Sequence, residues 1–478
     1  MSITVIRNAS WIVAYDAAAG GHIYLRDGDV AFDGDRLIQV GGRFDGEVDR
    51  EIDGRGRMVM PGLVNIHSHP SSEAMCKGWN DELGSRKMYG TALYEFMPLF
   101  RCDAQGTRAC AEVTYSELLM SGVTTLVDMS VAWDGWLETF KASGLRGVFS
   151  PMYRSARWYT DNGHVAKYEW NEKAGEEAMA AAMALLDRVA ADESGRLSGM
   201  VSPSQIDTCT PELIEASHAE AMRRGVPFQI HAAQSVVEFH EITRRHGMTP
   251  VEWLASLGVL GPSSIIGHGI FLDHHSSSHW PETDDLGTLV ETGTTVAHCP
   301  IVFQRRGIAM QSFGSYVEAG VNVGIGVDTY PHHMLEEMRA VCIGSRMMAE
   351  DVYDMRTADV FNAATLGGAK ALGRNDIGRL APGAKADIVL VDVTHPMMRP
   401  LRDPIRSLIY AAAERAVTTV IVDGVTVVEN GKVLTMDYSA AAAELEEAQR
   451  RAEPKVKSLD WAGRDHLTIS PLTFPNGG

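Results

Sequence analysis

Not one C-x-x-C pair occurs in this chain. Its six cysteines, Cys76, Cys102, Cys110, Cys209, Cys299 and Cys342, are scattered through 478 residues. That spacing argues against a disulfide framework or a thiolate zinc module, and the thiols are expected to be reduced and mostly buried. Basic residues are scarce beside acidic ones: 43 Lys and Arg against 62 Asp and Glu give a formal net charge of −19. An acidic surface repels phosphate backbones, so no nucleic acid is expected as a partner. No apolar run is long enough to span a bilayer, and no membrane partner is expected. The start "MSITVIRNASWIVAYD" has no basic stretch followed by an apolar one, does not read as a signal peptide, and leaves a cytoplasmic location as the expectation. Low complexity is absent too; 45% apolar and 22% charged residues are ordinary for a globular protein.

What is present is a change of rhythm along the chain. Residues 1–58 alternate short β-like runs with Asp-Gly and Gly-Asp turns, as in "DVAFDGDRLIQVG". From 59 to 376, short apolar strands alternate with longer amphipathic stretches such as "AGEEAMAAAMALLDRVAAD". The candidate strands are "GLVNIH", "GVTTLVDMS", "LRGVFSPMY", "LSGMVSPS", "VPFQIHAA", "SSIIGHGIFL", "GTTVAHCP" and "VNVGIGVDTY". Eight such units predict an α/β fold, a (β/α)8 TIM-like barrel. Residues 377–436 return to strand pairs with Asp-Gly and Asn-Gly turns, placed to complete a small β domain begun by the N-terminus. A helix, "SAAAAELEEAQRRAE", and a polar tail fill 437–478.

The chemistry collects at strand ends. In "PGLVNIHSHP" His67 and His69 are two apart, so on a strand both imidazoles face one side. His231 ends "VPFQIHAA", His268 falls late in "SSIIGHGIFL", and Asp328 ends "VNVGIGVD". Singly, each histidine reads as a surface or core residue. Together, at the barrel face where active sites lie, they are nitrogen and oxygen donors suited to a divalent transition metal.

With "MPGLVNIHSH", "IHAAQ", "GHGIFL", "AHCP", "GIGVD" and "GRLAPGAKADIVLVD" in place, the chain resembles the amidohydrolase superfamily along nearly its whole length. The branch it resembles includes cytosine, guanine and S-adenosylhomocysteine deaminases and s-triazine hydrolases. The resemblance implies a barrel with a small β-sandwich built from both chain ends. It also implies one catalytic divalent metal held by His67, His69, His231 and Asp328, with Zn²⁺ placed ahead of Fe²⁺, Mn²⁺ or Co²⁺. Binuclear relatives carry a lysine or glutamate at the fourth strand; "LSGMVSPSQID" ends in neither, so a mononuclear site is expected. Asp328 is then the general base and His268 the group that polarises the substrate oxygen or the attacking hydroxide. A small-molecule substrate and a homo-oligomer, a dimer or larger, are implied by the same likeness.

One position departs from the deaminase pattern. Where such relatives read H-x-x-E, this chain has "HAAQ", and an amide at Gln234 cannot relay the proton that a glutamate would. An amide, urea or carbamate carbon needs no ring protonation. Hydrolysis of a non-peptide C–N bond in such a small molecule is therefore expected first. A deaminase or dehalogenase acting on a nucleobase-like or s-triazine ring is the second reading, and a non-catalytic binding protein on the same fold the third. Gln234, Trp79 and Phe303 are the expected substrate contacts, with Ile301, Val302 and Phe303 giving an apolar wall. Glu73, Trp133, Trp136 and Trp158 fall in neighbouring loops and suit either the pocket or ordinary packing. His332 and His333 are read as a helix start, and His274, His275 and His279 as a solvated loop.

Overall fold

The computed structural model describes residues 3–281 and 283–476. All eight expected barrel strands form: Leu63–Ser68, Val123–Asp128, Arg146–Phe149, Leu197–Gly199, Phe228–Ala232, Ser264–His268, Thr295–His298 and Val323–Ile325. Except in the half-buried Leu197–Gly199, their residues are buried on both faces, which is why the sequence shows continuous apolar runs rather than alternation. Helices between the strands are closed by local signals. In Pro211–Arg224, for example, Thr210 accepts from the Leu213 amide at 3.2 Å, and Gly225 ends the helix at φ +65°.

The architecture is TIM-barrel-like, with a correction to the expected closed ladder. The strands make two four-stranded parallel sheets, Leu63–Ser68 through Leu197–Gly199 and Phe228–Ala232 through Val323–Ile325. Isolated parallel bridges join them at two seams, Val201 to Phe228 with Gln205 to His231, and Ser68 to Asp328. Both seams have a backbone reason. Pro203 has no N–H to continue a ladder, and Asp328 turns to φ +60° at the other.

Strands from the N-terminal and C-terminal segments pair with each other. Ile388–Asp392 pairs antiparallel with Arg57–Pro61 inside a seven-stranded sheet, and a second sheet of four strands contains Ile3–Ala9. Ile6, Val30 and Phe32 from one sheet share a buried cluster with Ile12, Val59 and Ile388 from the other. Arg146, at the N-terminal end of its barrel strand, ties the barrel to this β region. It holds Asp387 at 2.8 Å and Asp423 at 2.6 Å, with the arginine and Asp387 side chains almost wholly buried.

The C-terminal segment is more than a polar tail. Helix Tyr438–Ala452 packs on helix Ala104–Met120 so closely that a Cβ at Gly106 would sit 2.6 Å from the Ala448 Cβ. Beyond it, Trp461 Nε1 donates to Glu95 at 3.0 Å, Arg464 pairs with Glu95 at 2.8 Å, and Ser470 donates to the Trp79 carbonyl at 2.8 Å. No helix among the described residues is long and apolar enough to cross a membrane.

Candidate metal centre

Strand geometry brings His67, His69, His231, His268 and Asp328 to one place. The strand carrying His67 and the segment carrying Asp328 clamp each other: the Asp328 amide donates to the His67 carbonyl at 2.8 Å, and the His69 amide to the Asp328 carbonyl at 3.0 Å. Asn65 Oδ1 accepts from the His67 and Val327 amides, both at 3.2 Å, and fixes the same junction. Asp328 Oδ1 lies 3.2 Å from His69 Nε2 and 3.5 Å from His67 Nε2; His69 Nε2 lies 3.2 Å from His231 Nε2.

Three of the imidazoles are oriented from behind. His67 Nδ1 faces Gln229 Oε1 at 2.6 Å, His69 Nδ1 the Met129 carbonyl at 2.7 Å, and His231 Nδ1 the Ser204 carbonyl at 2.5 Å. An acceptor at each Nδ1 holds a proton there and turns Nε2 inward, the arrangement by which proteins present imidazoles to a cation. His67 Nε2 is buried and makes no hydrogen bond of its own. Burial, reinforced by neighbouring imidazoles, holds His231 far below the ordinary histidine value, so it is a neutral donor. Burial alone would raise Asp328, but its contacts with His67 and His69 win and keep it a carboxylate. Burial likewise opposes protonation of His69, yet the Asp328 carboxylate, the Met129 carbonyl and the charge of Glu73 lift it to about 9. Positive charge is thus favoured where the Nε2 atoms and Asp328 converge. The donor set fits a divalent metal: His67, His69 and Asp328 form one close group, and His67, His231 and His268 another.

Residues 58–427 match the amidohydrolase family. The chain belongs to that family. It is a metal-dependent hydrolase of carbon–nitrogen bonds. This amidohydrolase is 31% identical over 436 residues to the 5-methylthioadenosine/S-adenosylhomocysteine deaminase of Natronomonas pharaonis, covering 88% of this chain and 93% of the relative. A deaminase of the same description from Pelotomaculum thermopropionicum is 30% identical over 443 residues, with coverage of 89% and 94%. Among solved structures, an adenosine deaminase from Xanthomonas campestris with bound zinc superposes at TM-score 0.81, with 23% identity and coverage of 94% and 98%. The zinc complex of atrazine chlorohydrolase from Arthrobacter aurescens TC1 reaches 0.76, with 20% identity and coverage of 93% and 100%. Those structural likenesses carry the fold.

A cavity of about 200 Å³ opens onto the centre of this amidohydrolase. His268 stands at its wall, with Nδ1 unpartnered and its ring edge-on to Phe303 at 4.8 Å. Phe303 and Val302 line the cavity, and Ile301 gives its amide to Glu337 at 3.0 Å. Gln234 lines it too, buried, with Nε2 unpartnered. Trp79 does not: it packs on Phe100 in a separate buried cluster with Met75 and Leu99. Trp158 lines the cavity, whereas Trp136 is buried in the core and donates to Asp128 at 2.8 Å. His333 caps helix Met334–Ala349, accepting from Glu336, so the helix-start reading fits. His275 corrects the solvated-loop reading; it is buried, with Ala309 and Ser277 as its ring partners.

The sequence reading missed Gln229, although its signal was present. It lies two residues before His231 on one strand, hence on the same face. Arg154 and Arg306, also on the cavity wall, had no motif to mark them.

Proposed function

We propose that this amidohydrolase binds one Zn²⁺ through His67, His69, His231 and Asp328 and hydrolyses an amide, urea or carbamate C–N bond of a small molecule. The observation that carries the substrate class is Gln234. It occupies the cavity wall beside the proposed ligands, and its amide can hold a substrate but cannot protonate a ring nitrogen. The nearest carboxyl in the chain after it, Glu238, is fully buried, takes the Ala233 amide at 2.6 Å, and is not on the cavity wall.

When bound, the metal supplies a Lewis acid and a water acidified to a pKa of about 7. Asp328, held anionic beside the imidazoles, accepts the proton of the attacking water and passes it to the leaving nitrogen. His268 contacts the substrate oxygen as negative charge develops there. Phe303 and Val302 exclude solvent from that side. A second reading, deamination of a nucleobase-like or triazine ring, is supported by the deaminase descriptions of the relatives.

The two terminal sheets we read as one β-sandwich domain, residues 1–58 with 377–436, beside the barrel at 59–376 and the C-terminal helix and tail at 437–478. The shared cluster of Ile6, Val30, Ile12 and Ile388 supports that division. Exposed Met347, Val352 and Tyr353 support assembly into a homo-oligomer, with the cytoplasm as the proposed location.

The deciding measurement is metal content per chain without chelators, for the native protein and a His67→Ala, His69→Ala variant. It is followed by a substrate screen scored for carboxylates, amines and ammonia. About one zinc per native chain and almost none in the variant is the expected result. Two metals would overturn the mononuclear assignment. Ring deamination that rises in Gln234→Glu, with no carbonyl substrate turned over, would put the second reading first.

A further inference from the structure

The residues of the cavity wall hold four buried polar atoms without a partner among the described residues: Glu73 Oε2, Gln205 Oε1, Gln234 Nε2 and His268 Nδ1. Glu73 is the least expected of them. Its residue is only 6% exposed, and a carboxylate is rarely buried without a partner. It sits in the loop leaving the first barrel strand, with its amide on the His69 carbonyl at 3.3 Å. Ser72 occupies the other oxygen, Oε1, at 3.3 Å. Arg306, the wall cation whose charge Glu73 feels, spends its donors on the Leu83, Val302 and Asn80 carbonyls instead. His69 has both ring nitrogens engaged elsewhere. Glu73 Oε2 is therefore a buried acceptor, on a residue of the cavity wall, with no partner among the described residues.

We propose that Glu73 is a specificity-determining residue that accepts a hydrogen bond from an N–H on a nitrogen bonded to the reacting carbon. This rests on the carbonyl-hydrolase reading and narrows its substrate class. The preferred molecule is a urea or carbamate keeping at least one such N–H; a fully N-alkylated analogue leaves the carboxyl oxygen buried and unpaired. An oxygen of this carboxyl accepts in either protonation state, so the role does not depend on titration. Gln234 then donates to an acceptor of the same substrate.

The test uses the zinc-loaded full chain and two matched pairs of probes. The first is 1,1-dimethyl-3-phenylurea with 1,1,3-trimethyl-3-phenylurea; the second is methyl N-phenylcarbamate with its N-methyl derivative. The native protein is expected to favour the N–H member by about tenfold or more in kcat/KM, because a site built to hydrogen-bond a group rejects the analogue lacking it. Glu73→Leu should lower the N–H member by roughly 30-fold and the N-methyl member by less than about threefold, erasing the preference at unchanged zinc content. Glu73→Gln retains an acceptor oxygen and should keep most of the preference, which also guards against a Leu variant that fails to fold. Equal losses on both members, or no loss on either, would overturn the assignment. If the native protein hydrolyses none of the probes, the carbonyl-hydrolase reading fails. Glu73 is then judged by calorimetric binding of the same pairs: a preference for N–H lost in Glu73→Leu upholds it, and equal affinities overturn it.

Discussion

The two ends of the barrel strands both bury charge, and they handle it differently. At the N-terminal end, Arg146 meets Asp387 and Asp423, Asp387 also takes the Asp423 amide at 2.8 Å, and Lys385 lies 3.2 Å from Asp423. Charge there is answered by charge of opposite sign from the same chain. At the C-terminal end, His67 Nε2, His268 Nδ1, Glu73 Oε2 and Gln234 Nε2 are buried and unanswered. Leaving such atoms unpaired costs free energy, so a chain keeps them where something from outside completes them. Buried atoms without partners also occur elsewhere, Asp33 Oδ1 and Thr124 Oγ1 among them; what sets the C-terminal end apart is that several gather around one cavity.

The comparison can be broken in four ways. Asp328→Ala removes a proposed ligand and the proposed base together, and kcat/KM should fall by about 10⁴-fold while circular dichroism still reports a folded chain. A variant with near-native turnover would show that the unanswered end is not the reaction centre. Arg146→Ala acts on the answered end; it strands Asp387 and should cost about 3–5 kcal/mol in urea unfolding. Unchanged stability would mean that the ion cluster is solvated and the contrast false. Gln229→Leu takes the acceptor from His67 Nδ1, and zinc affinity by competitive chelation should weaken by about 10–100-fold, with little change in the melting of the metal-free protein. The smallest effect has the opposite sign. Gln234→Leu replaces an unanswered amide with an apolar side chain, and the substrate-free protein should gain about 1 kcal/mol while losing substrate affinity. A loss of stability would show that the amide is already satisfied.

Much of this was legible in the sequence because strands obey a period of two. His67 and His69 share a face by spacing alone, and the alternation of apolar runs with amphipathic stretches placed all eight barrel strands. The donor residues stand at strand ends, where sequence position and spatial position coincide. Legibility failed where long-range contacts decide. "WN" at 79–80 looks like a pocket aromatic, but Trp79 turns to Phe100 because a buried cluster forms outside the cavity. The carbonyls of Met129 and Ser204 that orient His69 and His231 lie just beyond the ends of other strands and carry no side-chain signature. The ladder breaks at Val201–Pro203 and Asp328 are backbone events, visible only once both partners are placed.

The contacts of the last residues change what the end of the chain is for. Trp461, Arg464 and Ser470 hold Glu95 and the Trp79 carbonyl, and those lie in the same long connection, residues 69–103, that supplies Glu73, Thr91, Ala92 and Leu93 to the cavity wall. A tail whose docking orders that connection would link its docking to the filling of the cavity. Whatever free energy tail docking adds to ligand binding, ligand binding must return to tail docking. Removing residues 453–478 is expected to weaken substrate binding and leave the metal in place, and substrate should in turn slow proteolysis near Trp461.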